Sequence, residues 1–259
     1  MLRNPDKEGF WDALKFSDRK NGFLLGDPVD GKFRLMGTYD GGGHWTRAKA
    51  QSLEVENPKS GAFAASNSSL LFSTTETVPS FVTGGPGGAH FYGGVYQATN
   101  DGRSGVALCR TLSSGKSPSD CVDSLLGFEV LEVGVIGTSQ SSGGFSIDAA
   151  NLRQYRAVIV GGDYTKPDVS AGSAAYLDRK FEGWLPSSTP PHGYRSTVQW
   201  SESLKVWITA GTNGSDVSRA DGRTWMPLDD GNWNALSLPF VVGPQGRIGR
   251  LNEGAVGKR

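Results

Sequence analysis

Apolar residues in this chain come in short runs that alternate with polar positions and end at glycine-rich corners. Trp11 to Pro28 reads W-D-A-L-K-F-S-D-R-K-N-G-F-L-L-G-D-P, which predicts a short strand, a polar turn, a more apolar strand and then a corner. Gly144 to Tyr164 and Tyr194 to Asp216 follow the same plan. Two weaker copies are A-F-A-A-S-N-S-S-L-L-F-S-T-T around Ala62 and W-N-A-L-S-L-P-F-V-V-G from Trp233. With Ala13, Ala62, Ile147, Thr197 and Ala235 as equivalent positions, the steps are 49, 85, 50 and 38 residues. Units of roughly 40 to 50 residues with four short strands have the dimensions of propeller blades. The pattern therefore predicts an all-β chain: one β-propeller domain over residues 1–259, built from four-stranded antiparallel blades. Five units are readable, at about 9–50, 60–107, 143–186, 192–228 and 231–254, and the last ends after about three strands.

Composition narrows the function classes. Lys plus Arg and Asp plus Glu each number 26, so no global field draws the chain to nucleic acid or to an anionic membrane. No apolar stretch is long enough to span a bilayer, and the opening M-L-R-N-P-D-K-E-G-F lacks the apolar core of a signal peptide. Glycine is abundant, at 37 residues, yet it is spread between apolar runs, as in a folded, turn-rich protein. Cys109 and Cys121 flank the polar run R-T-L-S-S-G-K-S-P-S-D in the long step, where either a loop-closing disulfide or two separate thiols fit. Three scattered histidines and two cysteines show no metal-ligand spacing, so neither a metal nor a cofactor is expected.

One stretch concentrates unusual chemistry: T-Y-D-G-G-G-H-W, Thr38 to Trp45, with an echo S-R-A-D-G-R-T-W at Ser218 to Trp225. Each falls where a third strand turns into a fourth. The acid can accept backbone N–H bonds, the glycines permit positive φ, and the tryptophan can pack between sheets. This spacing resembles the Asp-box, or BNR, repeat S/T-x-D-x-G-x-T-W of sialidases, sortilin-type receptors and photosystem II stability and assembly factor-like propellers. Thr38, Asp40, Gly42 and Trp45 match, with His44 in place of the threonine; Ser218, Gly222, Thr224 and Trp225 match, with the acid moved to Asp221. T-N-D-G-R-S-G-V from Thr99 and Y-L-D-R-K-F-E-G-W from Tyr176 are eroded copies. Segments such as G-D-P-V-D-G-K-F and V-G-G-D-Y make the whole chain similar to bacterial assembly factor-like members, often labelled oxidoreductase or glycosyl hydrolase. That resemblance implies a periplasmic or secreted protein with about seven blades behind a signal peptide. This chain is then expected to be an N-terminally shortened member, monomeric but with open strand edges; without the signal, a cytoplasmic location stays open.

Asp-boxes lie at the rim, so a site is expected at the other end, where second strands finish and first strands begin. Asp27, Asp163 and Asp216 stand at or near the corners, and Asp12, Tyr194, Arg195 and Trp233 lead into first strands; Tyr164 adjoins Asp163. These side chains are candidates for a shared polar binding face with aromatic walls, although an aspartate beside glycine in a turn commonly caps its own backbone. The expectation is a non-catalytic binding or assembly propeller for a protein or surface ligand. The alternative is a sialidase-like glycoside hydrolase using carboxylates such as Asp27 and Asp163. It lacks the F-R-I-P phrase that supplies the first arginine; the nearest, G-R-I-G-R, is in the last unit. The oxidoreductase label finds no support: G-G-P-G-G-A-H at Gly84 to His90 lies between strands and opens no helix.

Overall fold

The computed structural model describes residues 4–48, 52–72, 78–96, 126–134, 136–151, 156–178, 180 and 183–256. Cys109, Cys121 and the eroded Asp-box from Thr99 lie outside the described residues. Among the described residues, nineteen strands form five antiparallel sheets in chain order. Blade 1 holds β1 (Trp11–Phe16), β2 (Gly22–Val29), β3 (Lys32–Thr38) and β4 (Thr46–Arg47). Blade 2 holds β5 (Leu70–Phe72), β6 (Pro79–Val82), β7 (His90–Tyr96) and β8 (Leu126–Glu132). Blade 3 holds β9 (Ser142–Asn151), β10 (Arg156–Asp163), β11 (Ala174–Asp178) and β12 (Gly183–Pro186). Blade 4 holds β13 (Thr197–Ser201), β14 (Val206–Gly211), β15 (Gly214–Ser218) and β16 (Met226–Asp229). Blade 5 has three strands, β17 (Ala235–Ser237), β18 (Phe240–Val242) and β19 (Ile248–Arg250), followed by one helical turn, α1 (Glu253–Val256). The fold is a five-blade β-propeller.

Alternation along each strand sends side chains to both faces of a sheet, so an inner blade has two apolar faces to cover. Val158 and Val160 pack with Trp207 and Trp225 of blade 4, while Ala157 and Ile159 pack with Val82 and Phe91 of blade 2. Four such seams exist. Phe33 meets Phe81 and Tyr92 between blades 1 and 2, each at 5.2 Å between ring centroids. Phe91 meets Trp184 at 5.3 Å in the second seam. Ile208 and Val217 meet Leu236, Leu238 and Leu251 in the fourth. No seam joins blade 5 to blade 1 among the described residues. Leu14 and Phe16 on blade 1, and Phe240, Val242 and Ile248 on blade 5, are exposed accordingly.

The first strand of each blade lines the hub, and side chains there bind neighbouring blades in a regular way. Ser146 Oγ and Asp148 Oδ2 on β9 accept the N–H groups of Val198 and Trp200 on β13, at 2.9 and 2.7 Å. Thr197 Oγ1 and Gln199 Oε1 on β13 accept those of Leu236 and Leu238, at 3.4 and 2.8 Å. Two strands at blade spacing are too far apart for a backbone ladder, so alternate side-chain acceptors take its place.

The sequence placed the first strand of the second unit at Ala62, and the structure corrects this: β5 begins at Leu70. Residues 62–69 instead cross the hub. Ser66 Oγ donates to Ser196 O at 2.7 Å, Asn67 bonds both the N–H and the C=O of Leu14, and Ser68 O accepts Ile147 N–H. One loop thus touches blades 1, 3 and 4. Ser and Asn side chains compete with sheet ladders by bonding backbone directly, and Asn67 takes positive φ, which asparagine tolerates.

The stretches Thr38 to Trp45 and Ser218 to Trp225, which resemble the Asp-box, sit between β3 and β4 and between β15 and β16, and they close alike. Thr38 Oγ1 accepts Gly42 N–H at 2.9 Å, and Ser218 Oγ accepts Gly222 N–H at 3.1 Å. Trp45 Nε1 donates to Gly42 O at 3.2 Å, and Trp225 Nε1 to Gly222 O at 3.0 Å. The acids differ. Asp40 accepts the His44 N–H of its own turn, whereas the displaced Asp221 takes Arg156 of blade 3 at 2.9 Å. Thr224, the motif's penultimate position, forms an isolated bridge with Thr189.

Candidate functional site

A meander places the start of the first strand and the end of the second at one end of each blade, opposite the turns that follow Thr38 and Ser218. A recurrent backbone device shapes that end. Gly26, Gly161, Gly211 and Gly243 stand in or just beyond the last part of second strands, and a Cβ on each would press into the carbonyl oxygen of Phe10, Gly143, Tyr194 or Asn232, respectively. Only glycine permits so close an approach. The residue after that carbonyl then donates to the preceding blade: Gly144 to Thr83 O, Arg195 to Gly161 O and Trp233 to Gly211 O. The candidate residues are therefore hung on a rim stitched from blade to blade.

Next in blades 1 and 3 comes a bulge, two residues opposing one. Trp11 pairs with Gly26 and Ala13 with Leu25, leaving Asp12 as the extra residue. Phe145 is extra in blade 3, between the pairs Gly144–Gly161 and Ser146–Val160. Bulges re-aim side chains, and these two turn Asp12 and Phe145 inward, where both are buried. Phe145 anchors an aromatic group from three blades. Phe63 stacks on it at 4.1 Å, and Tyr194 and Tyr164 meet it edge-on at 4.9 and 6.1 Å. Tyr194 is buried, which pushes its phenol well above the usual value. Tyr164 is half exposed and projects from the face.

The acids fall into three situations. Asp163 caps its own turn: Oδ1 accepts the Thr165 N–H at 3.0 Å and its hydroxyl at 2.6 Å, and Oδ2 accepts Ser139 Oγ at 3.3 Å. The Thr165 hydroxyl, then Ser141, hold this carboxyl far below the ordinary range. Asp216 is inside the protein with Arg195, at 1% and 0% exposure. Arg195 Nε donates to Asp216 Oδ2 at 2.7 Å, and its other nitrogens reach Tyr194 O, Asn213 Oδ1 and His192. Burial lowers the guanidinium and Asp216 opposes that shift. Arg195 is thus a buried tie, not a group lining the face.

Asp12 and Asp27 form the third situation, on adjoining strands of blade 1. Asp27 Oδ1 accepts Ala62 N–H of blade 2 at 3.1 Å, and burial raises its carboxyl. Asp12 is pushed up to about 8, first by burial and then by Asp27. Its Oδ2 is buried without a partner.

Trp233 stands apart from these groups. It lines a mostly apolar cleft of about 210 Å³ between blades 4 and 5, with Leu228, Leu236 and Phe240. Its Nε1 donates to Asp229 Oδ1 at 2.8 Å, and the Arg247 guanidinium lies 4.2 Å from its ring centroid.

Sequence reasoning grouped the acids at one end but missed Phe63, Phe145, His192 and Asn213. A shared bulge offset was the available signal for Phe145, visible once Asp12 and Phe145 are aligned before their pairing residues. Gly84 to His90 connects β6 to β7 as a loop, and its Gly84 bridges Gly61 and Gly143. Among the described residues no cluster of three His, Cys, Asp or Glu could hold a metal ion, and no helix is long and apolar enough to cross a membrane. No protein-family model matches the sequence, and no curated protein matches it either.

Proposed function

We propose that this chain is a non-catalytic binding propeller of the Asp-box kind, akin to the photosystem II stability and assembly factor-like group. In this reading its glycine-stitched end receives a protein segment or surface ligand, in the periplasm or outside the cell. The observation that carries it is the occupation of the acids: Asp163 is saturated by its own turn, and Asp216 by Arg195 and His192. Groups so engaged hold a shape; a glycoside hydrolase needs two carboxyls facing each other across a substrate gap. Asp12 and Asp27, the remaining pair, stand on neighbouring strands of one sheet. The matching closure of the Thr38 and Ser218 turns supports the kinship with Asp-box proteins.

A photo-crosslinking phenylalanine analogue at Tyr164, on the proposed face, tests the reading against the same probe at His44, at the opposite end. Capture of one defined partner from the source cell's envelope at position 164 and not at 44 is the expected result. Equal capture at both, or none at 164, would end it.

A further inference from the structure

Among the described residues, Asp12 is a buried acid at this end with a carboxyl oxygen that the protein itself leaves unbonded. It is 7% exposed, Oδ2 has no partner, and burial and Asp27 alone perturb it, with no hydrogen bond to offset either. Buried polar groups are almost always bonded, and an exception calls for an explanation. The bulge does not supply one. At the same offset blades 3, 4 and 5 carry Phe145, Ser196 and Asn234; Ser196 and Asn234 donate their N–H groups to Ala210 O and Val242 O. Phe145 packs among aromatics, and Ser196 Oγ donates to Asn234 O at 2.7 Å. A carboxyl is therefore foreign to the position's structural role.

Asp27 lies close enough to raise Asp12 and uses only Oδ1 in holding Ala62. Along the chain, Phe10, 58% exposed, and half-buried Trp11 precede Asp12, and half-buried Phe63 follows Ala62. We infer that the Asp12–Asp27 pair binds a primary alkylammonium group, supplied by a lysine side chain of the protein segment docked on this end. The inference rests on the binding-face reading and adds the chemistry recognised there.

An ammonium brings three N–H donors to Asp12 Oδ2, which has none, and to the oxygen of Asp27 that Ala62 does not engage, and its charge removes the repulsion between the acids. A divalent metal is the poorer fit, because it needs six or more oxygen ligands and no third acidic or imidazole group joins these two among the described residues.

The test is a titration of the isotope-labelled full chain with Nα-acetyl-lysine amide, followed by amide NMR. Saturable shifts at Asp12, Asp27 and Ala62 are expected, with no response to the Nε-acetylated analogue. Asp12→Asn, which keeps the size of the side chain, should weaken binding at least tenfold, and Asp27→Asn should do likewise. Shifts absent from these three amides, unchanged affinity in both variants, or equal binding of the Nε-acetylated probe each overturn the proposal. Stronger shifts with calcium than with the lysine probe overturn it in favour of a metal. Because the Tyr164 crosslink does not involve Asp12, a captured partner together with a silent titration would sink the ammonium site alone.

Discussion

At the scale of single residues, the carboxyl of Asp12 makes stability depend on pH in an unusual direction. Its folded value of about 8 stands above the ordinary 3.8, so between these limits the folded state holds a proton that the unfolded chain releases. Stability is then fully present below the unfolded value and lost as pH rises toward the folded one. Urea denaturation should report a loss of at least about 1.4 kcal/mol across that window, the equivalent of one pKa unit. Asp12→Asn should abolish the decline, and parallel slopes in the two proteins would contradict it. The Arg195–Asp216 tie gives a second expectation. Asp216→Asn leaves a buried guanidinium uncompensated and should cost about 3–5 kcal/mol, whereas the double change to Met and Leu should cost less, because both charges leave together. Sequence alone located these acids at one end of the blades, since the end follows from strand order. It did not reveal which acid bonds its own turn and which reaches a neighbour; a bulge or a single rotamer decides that.

At the scale of elements, the rim glycines set the approach of first strand to second. Gly161→Ala and Gly211→Ala would drive a methyl into a carbonyl oxygen, and each should cost roughly 3 kcal/mol or more by thermal denaturation. Gly31→Ala is the comparison. It has positive φ but open space around it, so about 1 kcal/mol is expected. Equal losses at all three sites would show that backbone freedom, not crowding, is what these glycines supply. The blade pattern was legible because two strands, a polar turn and a glycine corner recur with little change. The second unit misled for a physical reason: A-F-A-A-S-N-S-S has strand-like alternation, yet its Ser66 hydroxyl and Asn67 amide find backbone partners on blades 4 and 1, and the Ser68 carbonyl accepts from blade 3. Local pattern cannot register bonds made that far along the chain.

At the scale of the whole molecule, four seams hold five blades, and apolar faces remain on the first and last. Exposed Leu14 and half-buried Leu24 lie side by side on blade 1, and Ala235, Val242 and Ile248 form a cross-strand row on blade 5. Contiguous exposed apolar surface promotes association. Sedimentation should show concentration-dependent self-association that Val242→Lys with Ile248→Glu suppresses without loss of β-sheet signal; unchanged association would assign it to another surface.

An arc has ends where a closed circle has none. Apart from the loop at 62–69, whose Ser66 also bonds Ser196 of blade 4, the described wedges lean on their sequence neighbours, as repeats do in a linear solenoid, so heat should peel the molecule inward from its tips. Hydrogen exchange would record this as a gradient, fastest in β18 and β19 and slowest in β9, β10 and β14. Uniform protection across all five wedges would mean that the tips are as firmly held as the middle.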